Sequence, residues 1–109
     1  MLNLCWQGLE KCSKLEELSL DNNGIRHIEG ARHWPQLQRL SLANNLIMSI
    51  SDSGLDALSQ LQHLSLENNC ITSLTAFQRM SALSELYLSN NRIGNARSIF
   101  FLKVWHCLC

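Results

Sequence analysis

Apolar and polar residues follow one arrangement that returns four times along the chain. Leu15, Leu37, Leu61 and Leu83 open the copies, at spacings of 22, 24 and 22 residues. Leucine recurs three and five positions later in every copy: Leu18 and Leu20, Leu40 and Leu42, Leu64 and Leu66, Leu86 and Leu88. An asparagine follows at Asn23, Asn45, Asn69 and Asn91, and an isoleucine two residues after it at Ile25, Ile47, Ile71 and Ile93. Leucines two apart project to one face of an extended strand, and the residue between them projects to the other. The pattern predicts four parallel strands centred near the paired leucines, with all eight of those leucines buried. One such strand cannot bury its leucines alone, but stacked copies share a continuous core.

Parallel neighbours need a crossover connection, and the second half of each copy supplies it. Apolar residues there recur about every three positions: Ile25, Ile28, Ala31 and Trp34 in the first copy, Ile71, Leu74, Phe77 and Met80 in the third. That spacing suits a short helical or 3-10 arc. The predicted fold class is therefore α/β, a right-handed solenoid with a parallel concave sheet and short helical or 3-10 convex arcs. The second copy is longer by two residues. Its "SDSGLDALSQL" offers Ser53 and Asp56 as a start resembling a capping box, which predicts a helical turn or two over residues 54–60.

Where the chain turns off each strand, backbone groups lose their sheet partners. A buried asparagine amide can satisfy them with two donors and an acceptor. Asn23, Asn45, Asn69 and Asn91 are therefore expected to form a structural ladder. The preceding Asn44 and Asn68 are expected to face solvent, and to be replaceable by alanine within about half a kcal/mol.

The spelling L-x-x-L-x-L-x-x-N-x-L over residues 15–104 resembles the leucine-rich repeat superfamily, and in particular its intracellular 22-residue class. That class is similar to phosphatase regulatory subunits, a spliceosomal scaffold, tubulin-folding factors and axonemal proteins. The resemblance implies a scaffold that holds a protein partner on the concave sheet or its rim. A scaffold subunit of an RNA-processing particle, holding an RNA-binding protein, is the alternative it implies. The expected domains are a convex half-repeat over 1–14 and four repeats (15–36, 37–60, 61–82, 83–104), then the start of a fifth over 105–109. Trp6, Leu9 and Cys12 keep the phase of a preceding arc, and Trp105 and Leu108 that of a following strand. Without polar caps at either end, a fragment or truncated product of a longer repeat protein is expected, with a free-standing small protein as the alternative.

Composition narrows the function classes. Nine Lys and Arg balance nine Asp and Glu in 109 residues, which gives no general attraction to nucleic acid or anionic lipid. No apolar run approaches the length of a membrane span, and the N-terminal stretch lacks a basic signal region. Five cysteines, an odd number, suit reduced thiols. The expected location is cytoplasmic, with the nucleus or the cilium and axoneme as alternatives. Cys70 is expected as an exposed turn thiol. His106, Cys107 and Cys109 alternate on one predicted strand and supply two or three ligands where zinc needs four. His27 and His33 lie out of phase with Asp21 for a triad. The expectation is thus no enzyme, no cofactor, no metal and no small-molecule substrate.

The solvent-facing strand positions carry the candidate partner site: Glu17, Arg39, His63 and Glu85, then Tyr87, with Asp21 and Glu67 following the strands. With Glu16, this strip holds five acids and one arginine, a charge of −4, and the rest of the chain holds +4. An acidic inner face favours a basic segment on the partner; the alternative is that Glu and Ser are simply common solvent-facing residues at these positions. Tyr87, an amphipathic aromatic, is a candidate anchor.

Overall fold

A computed structural model describes residues 13–51, 53–73 and 75–93. Glu17–Ser19 form β1, Arg39–Ser41 β2, His63–Ser65 β3 and Glu85–Tyr87 β4. They pair in parallel and in chain order as one four-stranded sheet. The register sets Leu18, Leu40, Leu64 and Leu86 side by side. Hydrogen bonding outruns the three-residue strands: Glu16 O accepts from Gln38 N and Arg39 N, while Leu20 N and Asn22 N donate to Ser41 O and Ala43 O.

Six of the eight paired leucines are buried, along with the opening Leu37, Leu61 and Leu83. Leu18 and Leu20 are only partly buried, against the expectation, and Leu15 shares their state. Among the described residues their strand has a stacking neighbour on the β2 side alone, so one flank of each side chain lacks a facing leucine.

Behind the sheet the return arcs contain 3-10 turns at Ala31–His33, Leu55–Ala57 and Thr75–Arg79. Ala31, Leu55 and Phe77 fill one column of the core, and Trp34, Leu58 and Met80 fill the next. The helix expected over residues 54–60 is a single 3-10 turn, and the capping box does not form. Gly54 stands before the turn with φ 83°, a left-handed conformation that interrupts helical entry. Gly30, φ 73°, takes the same place in the first copy. Only Glu29 separates Ile28 from Gly30, whereas residues 51–53 separate Ile50 from Gly54, so the two extra residues of the second copy lie there. Buried Ser53 secures the insertion: its hydroxyl donates to Ile50 O at 2.7 Å and accepts from Leu55 N at 3.1 Å.

Each asparagine turn is stitched to its neighbour. Asn45 Oδ1 accepts from Asn23 N and Ile25 N of the preceding copy, and its Nδ2 donates to Leu20 O, Leu42 O and Ala43 O. Asn69 accepts from Ile47 N and donates to Leu42 O, Leu66 O and Glu67 O. Asn91 accepts from Ile71 N and donates to Leu66 O, Leu88 O and Ser89 O. Asn23 is exposed and donates within its own turn, to Leu20 O and Asp21 O.

The asparagines one place earlier face solvent, but they are not free positions. Asn22, Asn44, Asn68 and Asn90 all have φ near 60°. An L-residue with a Cβ is strained there, and asparagine tolerates it better than most. The expected half-kcal/mol ceiling for replacing Asn44 or Asn68 by alanine is therefore too low. The half-repeats expected before residue 13 and after residue 104, and the cluster at 106–109, lie outside the described residues.

Candidate functional site

Strand alternation sends the leucines inward and leaves a polar sheet face. Because the register aligns Glu17, Arg39, His63 and Glu85, four side chains from four strands form one row across it. Ser19, Ser41, Ser65 and Tyr87 make the next row. Asp21 and Glu67 stand beyond the strands, at the start of their turns. The topology thus brings all seven candidate residues to one side of the sheet.

Their attachments differ. Arg39 Nε lies 3.5 Å from Glu17 Oε1, with side chains 58% and 73% exposed, so water competes effectively and the pair contributes little. His63 Nδ1 lies 3.3 Å from Glu85 Oε2, the atom to which Tyr87 Oη also donates at 2.9 Å. The His63 and Tyr87 rings lean together with centroids 5.0 Å apart. The hydrogen bond from Tyr87 lowers the Glu85 pKa most, the bond from His63 next, and the charges of His63 and Arg39 add to both; desolvation opposes them. Glu85 is thereby kept as a carboxylate.

Asp21 Oδ1 accepts from Ser41 Oγ at 2.7 Å and from Ala43 N at 2.8 Å. Glu67 accepts from Ser65 Oγ and Ser89 Oγ. These hydroxyl bonds orient the acids across neighbouring copies without neutralising them. A shallow depression of about 350 Å³ opens over Glu17, Ser19, Arg39, Ser41 and His63. The face offers charge, hydrogen-bond donors and acceptors, and one aromatic edge, which is equipment for holding a polar chain. Among the described residues no group of three His, Cys, Asp or Glu side chains could hold a metal ion, and no helix is long and apolar enough to cross a membrane. Cys70, expected to be exposed, is half-buried, and its backbone N–H donates to Ile47 O of the preceding copy.

The Leucine rich repeat family model matches residues 35–93. The chain belongs to the leucine-rich repeat family. Domains of this family generally mediate protein–protein interaction and are typically not enzymes. Among solved structures, internalin C2 of Listeria monocytogenes is similar at 30% identity over 84% of this chain, with a TM-score of 0.73. TLR13, solved as a complex with ssRNA13, is similar at 29% identity over 80%, with a TM-score of 0.71. Human 5T4, trophoblast glycoprotein, shares the fold at 24% identity over 78%, with a TM-score of 0.66. The chain spans 39% of that internalin, 13% of that TLR13 chain and 32% of that 5T4 chain. No curated protein matches it significantly.

Two features escaped the sequence reading. The left-handed asparagines were signalled by the doubled "NN" in every copy, a residue type suited to positive φ. Leu46 and Met48, 42% and 63% exposed, were hidden inside a repeat whose apolar positions invite burial. Comparison of the columns finds them: the first copy has Gly24 and Arg26 there, and the third has Cys70 and Thr72.

Proposed function

We propose that this leucine-rich repeat chain is a protein-interaction scaffold whose sheet face holds a basic segment of a partner. The reading rests on one observation: Glu17, Asp21, Glu67 and Glu85 share a face on which, among the described residues, Arg39 is the one fixed cation. Glu85 stays ionised under the Tyr87 and His63 bonds, so the acidic field persists where a partner would approach. Phosphates would be repelled by the same face, so the RNA of the TLR13 structure is not carried over to this chain. Within the family, "KLEELSLDNNGI" and "LSLENNCI" support membership of the intracellular 22-residue class, as part of a longer array similar to leucine-rich repeat-containing protein 9. A cytoplasmic, nuclear or ciliary location accompanies that reading.

The test is calorimetric titration of a Lys/Arg-rich twelve-residue peptide, with a charge-neutral peptide of matched length as control. The reading expects binding that weakens with added salt and falls at least tenfold in the Glu17→Lys/Glu85→Lys variant. Equal binding of both peptides, or no change in the variant, would remove the sheet face as the site.

A further inference from the structure

The rim beside the asparagine turns carries a second surface with chemistry unlike that of the sheet face. Leu46 and Met48 flank the buried Ile47, so they emerge from the same short extended segment. With Arg26, His27 and Ser49 they border one depression of about 150 Å³. A larger one, about 570 Å³, continues from His27 and Ser49 toward Glu29 and Ser53.

This exposure is not a loose end of the chain. Leu46 N donates to Ile25 O, Cys70 N to Ile47 O and Arg92 N to Ile71 O, at 2.8, 2.8 and 2.9 Å. The rim is a hydrogen-bonded rail, and Leu46 and Met48 are held outward by it. Nor does the repeat need them, since glycine, arginine, cysteine and threonine occupy the same columns in neighbouring copies. Among the described residues of this rail, 24–28, 46–50, 70–73 and 92–93, Arg26 and Arg92 are charged and there is no acid. The rail itself thus carries positive charge, with Glu29 beyond it on the larger depression. Methionine adapts its shape to an apolar visitor, and methionine and arginine are enriched in interface centres.

We infer that the Leu46–Met48 rim is a second docking surface, for a short partner segment that sets an apolar side chain between Leu46 and Met48 and a carboxylate against Arg26. Two apolar side chains cover far less than a standard interface, so the occupant is a short linear segment rather than a folded face.

The test is selection of displayed random twelve-residue peptides on the 109-residue chain, followed by fluorescence-anisotropy titration of the enriched ones. Enriched peptides should place Leu, Phe or Met within four residues of Asp or Glu. Their affinity should fall at least tenfold in Leu46→Ser/Met48→Ser and in Met48→Glu, and about threefold in Arg26→Ser. It should hold in Glu17→Lys/Glu85→Lys, which separates this surface from the sheet face. Unchanged thermal midpoints in the serine and glutamate variants confirm that the fold is intact. Enrichment of basic peptides, or affinity indifferent to all three rim variants, would overturn the inference. So would self-association of the unaltered chain by sedimentation that the serine variant abolishes, because the occupant would then be a second copy.

Discussion

In the turn after β2, one residue, Asn45, makes five hydrogen bonds to the backbone of two copies. In the arcs behind the sheet, the corresponding layers are filled by Ala31 with Trp34, Leu55 with Leu58, and Phe77 with Met80. The turn repeats one residue type in every copy, while the arc repeats only apolar character. Hydrogen bonds constrain distance and direction, so an amide that serves two donors and three carbonyls has no substitute of similar size. Packing constrains volume, which different pairs can supply, here a small alanine beside a large tryptophan. Turn identity is therefore specified residue by residue, and arc identity only in sum.

The largest effect that could break this contrast is a matched pair of substitutions. Asn45→Leu keeps the approximate volume but strands buried N–H and C=O groups, at roughly 1–3 kcal/mol for each one that water does not reach. The expected total is about 3 kcal/mol or more. Leu58→Met brings in the residue that the third copy already uses in this column, and should cost under about 1.5 kcal/mol. Urea denaturation midpoints of the two variants give the comparison. Similar losses would mean that the turns are held by packing as well, and the distinction would collapse.

A smaller effect sharpens it. The neighbouring Asn44 is exposed, and its part in the turn is its φ of 58°. Asn44→Ala should cost about 1 kcal/mol, because a Cβ in the left-handed region is strained and alanine has no side-chain polar group to compensate. Asn44→Gly should lie within a few tenths of a kcal/mol of the unaltered protein, because glycine reaches the same φ without strain. Thermal unfolding of the two variants checks the sign. Equal losses in the two variants would show that the amide of Asn44, which both lack, and not its backbone angle, is what matters.

The same contrast explains which parts of the molecule were legible in the sequence. The strand register was readable because the leucine spacing permits one alignment, and a slip by one residue would expose every leucine. The arcs were harder. "SDSGLDALSQL" carries helix-start residues, yet Gly54 turns the chain into the left-handed region before a helix can begin. Position Ser53 looked like a cap and became the brace of an insertion, bonding Ile50 O and Leu55 N. Burial at the β1 end depends on stacking neighbours on both sides, and among the described residues β1 has one on the β2 side alone, so Leu18 and Leu20 were overcounted. On the sheet face, alternation placed the candidate side chains correctly on one surface. It carried no information about which hydroxyl would reach which carboxylate, because such bonds as Ser41 to Asp21 depend on rotamers across two copies.

The smallest expected effect belongs to a third kind of contact, polar groups on the open sheet face where water competes. Glu85 illustrates it. Its carboxylate accepts from Tyr87 Oη and lies against His63 Nδ1, and its pKa is held below the ordinary value of 4.5, with Tyr87 the larger cause. A folded pKa below the unfolded one means that the carboxylate stabilises the fold above the unfolded value, and that this contribution is lost as pH falls through the folded value. The window is therefore acidic, and stability at neutral pH does not depend on small pH changes through this group. The Glu85 side chain is 42% exposed, so the titration itself is the better observable than any stability difference. In a carbon-detected NMR titration, Glu85 should show a midpoint below 4.5. Tyr87→Phe should raise it, and His63→Asn should raise it less. If the order of the two variants is reversed, the ion-pair contact rather than the tyrosine hydroxyl sets the carboxylate. If neither variant moves it, the bonds on this face are too solvated to organise the side chains, and the acidic face would meet a partner as independent charges instead of a preformed row.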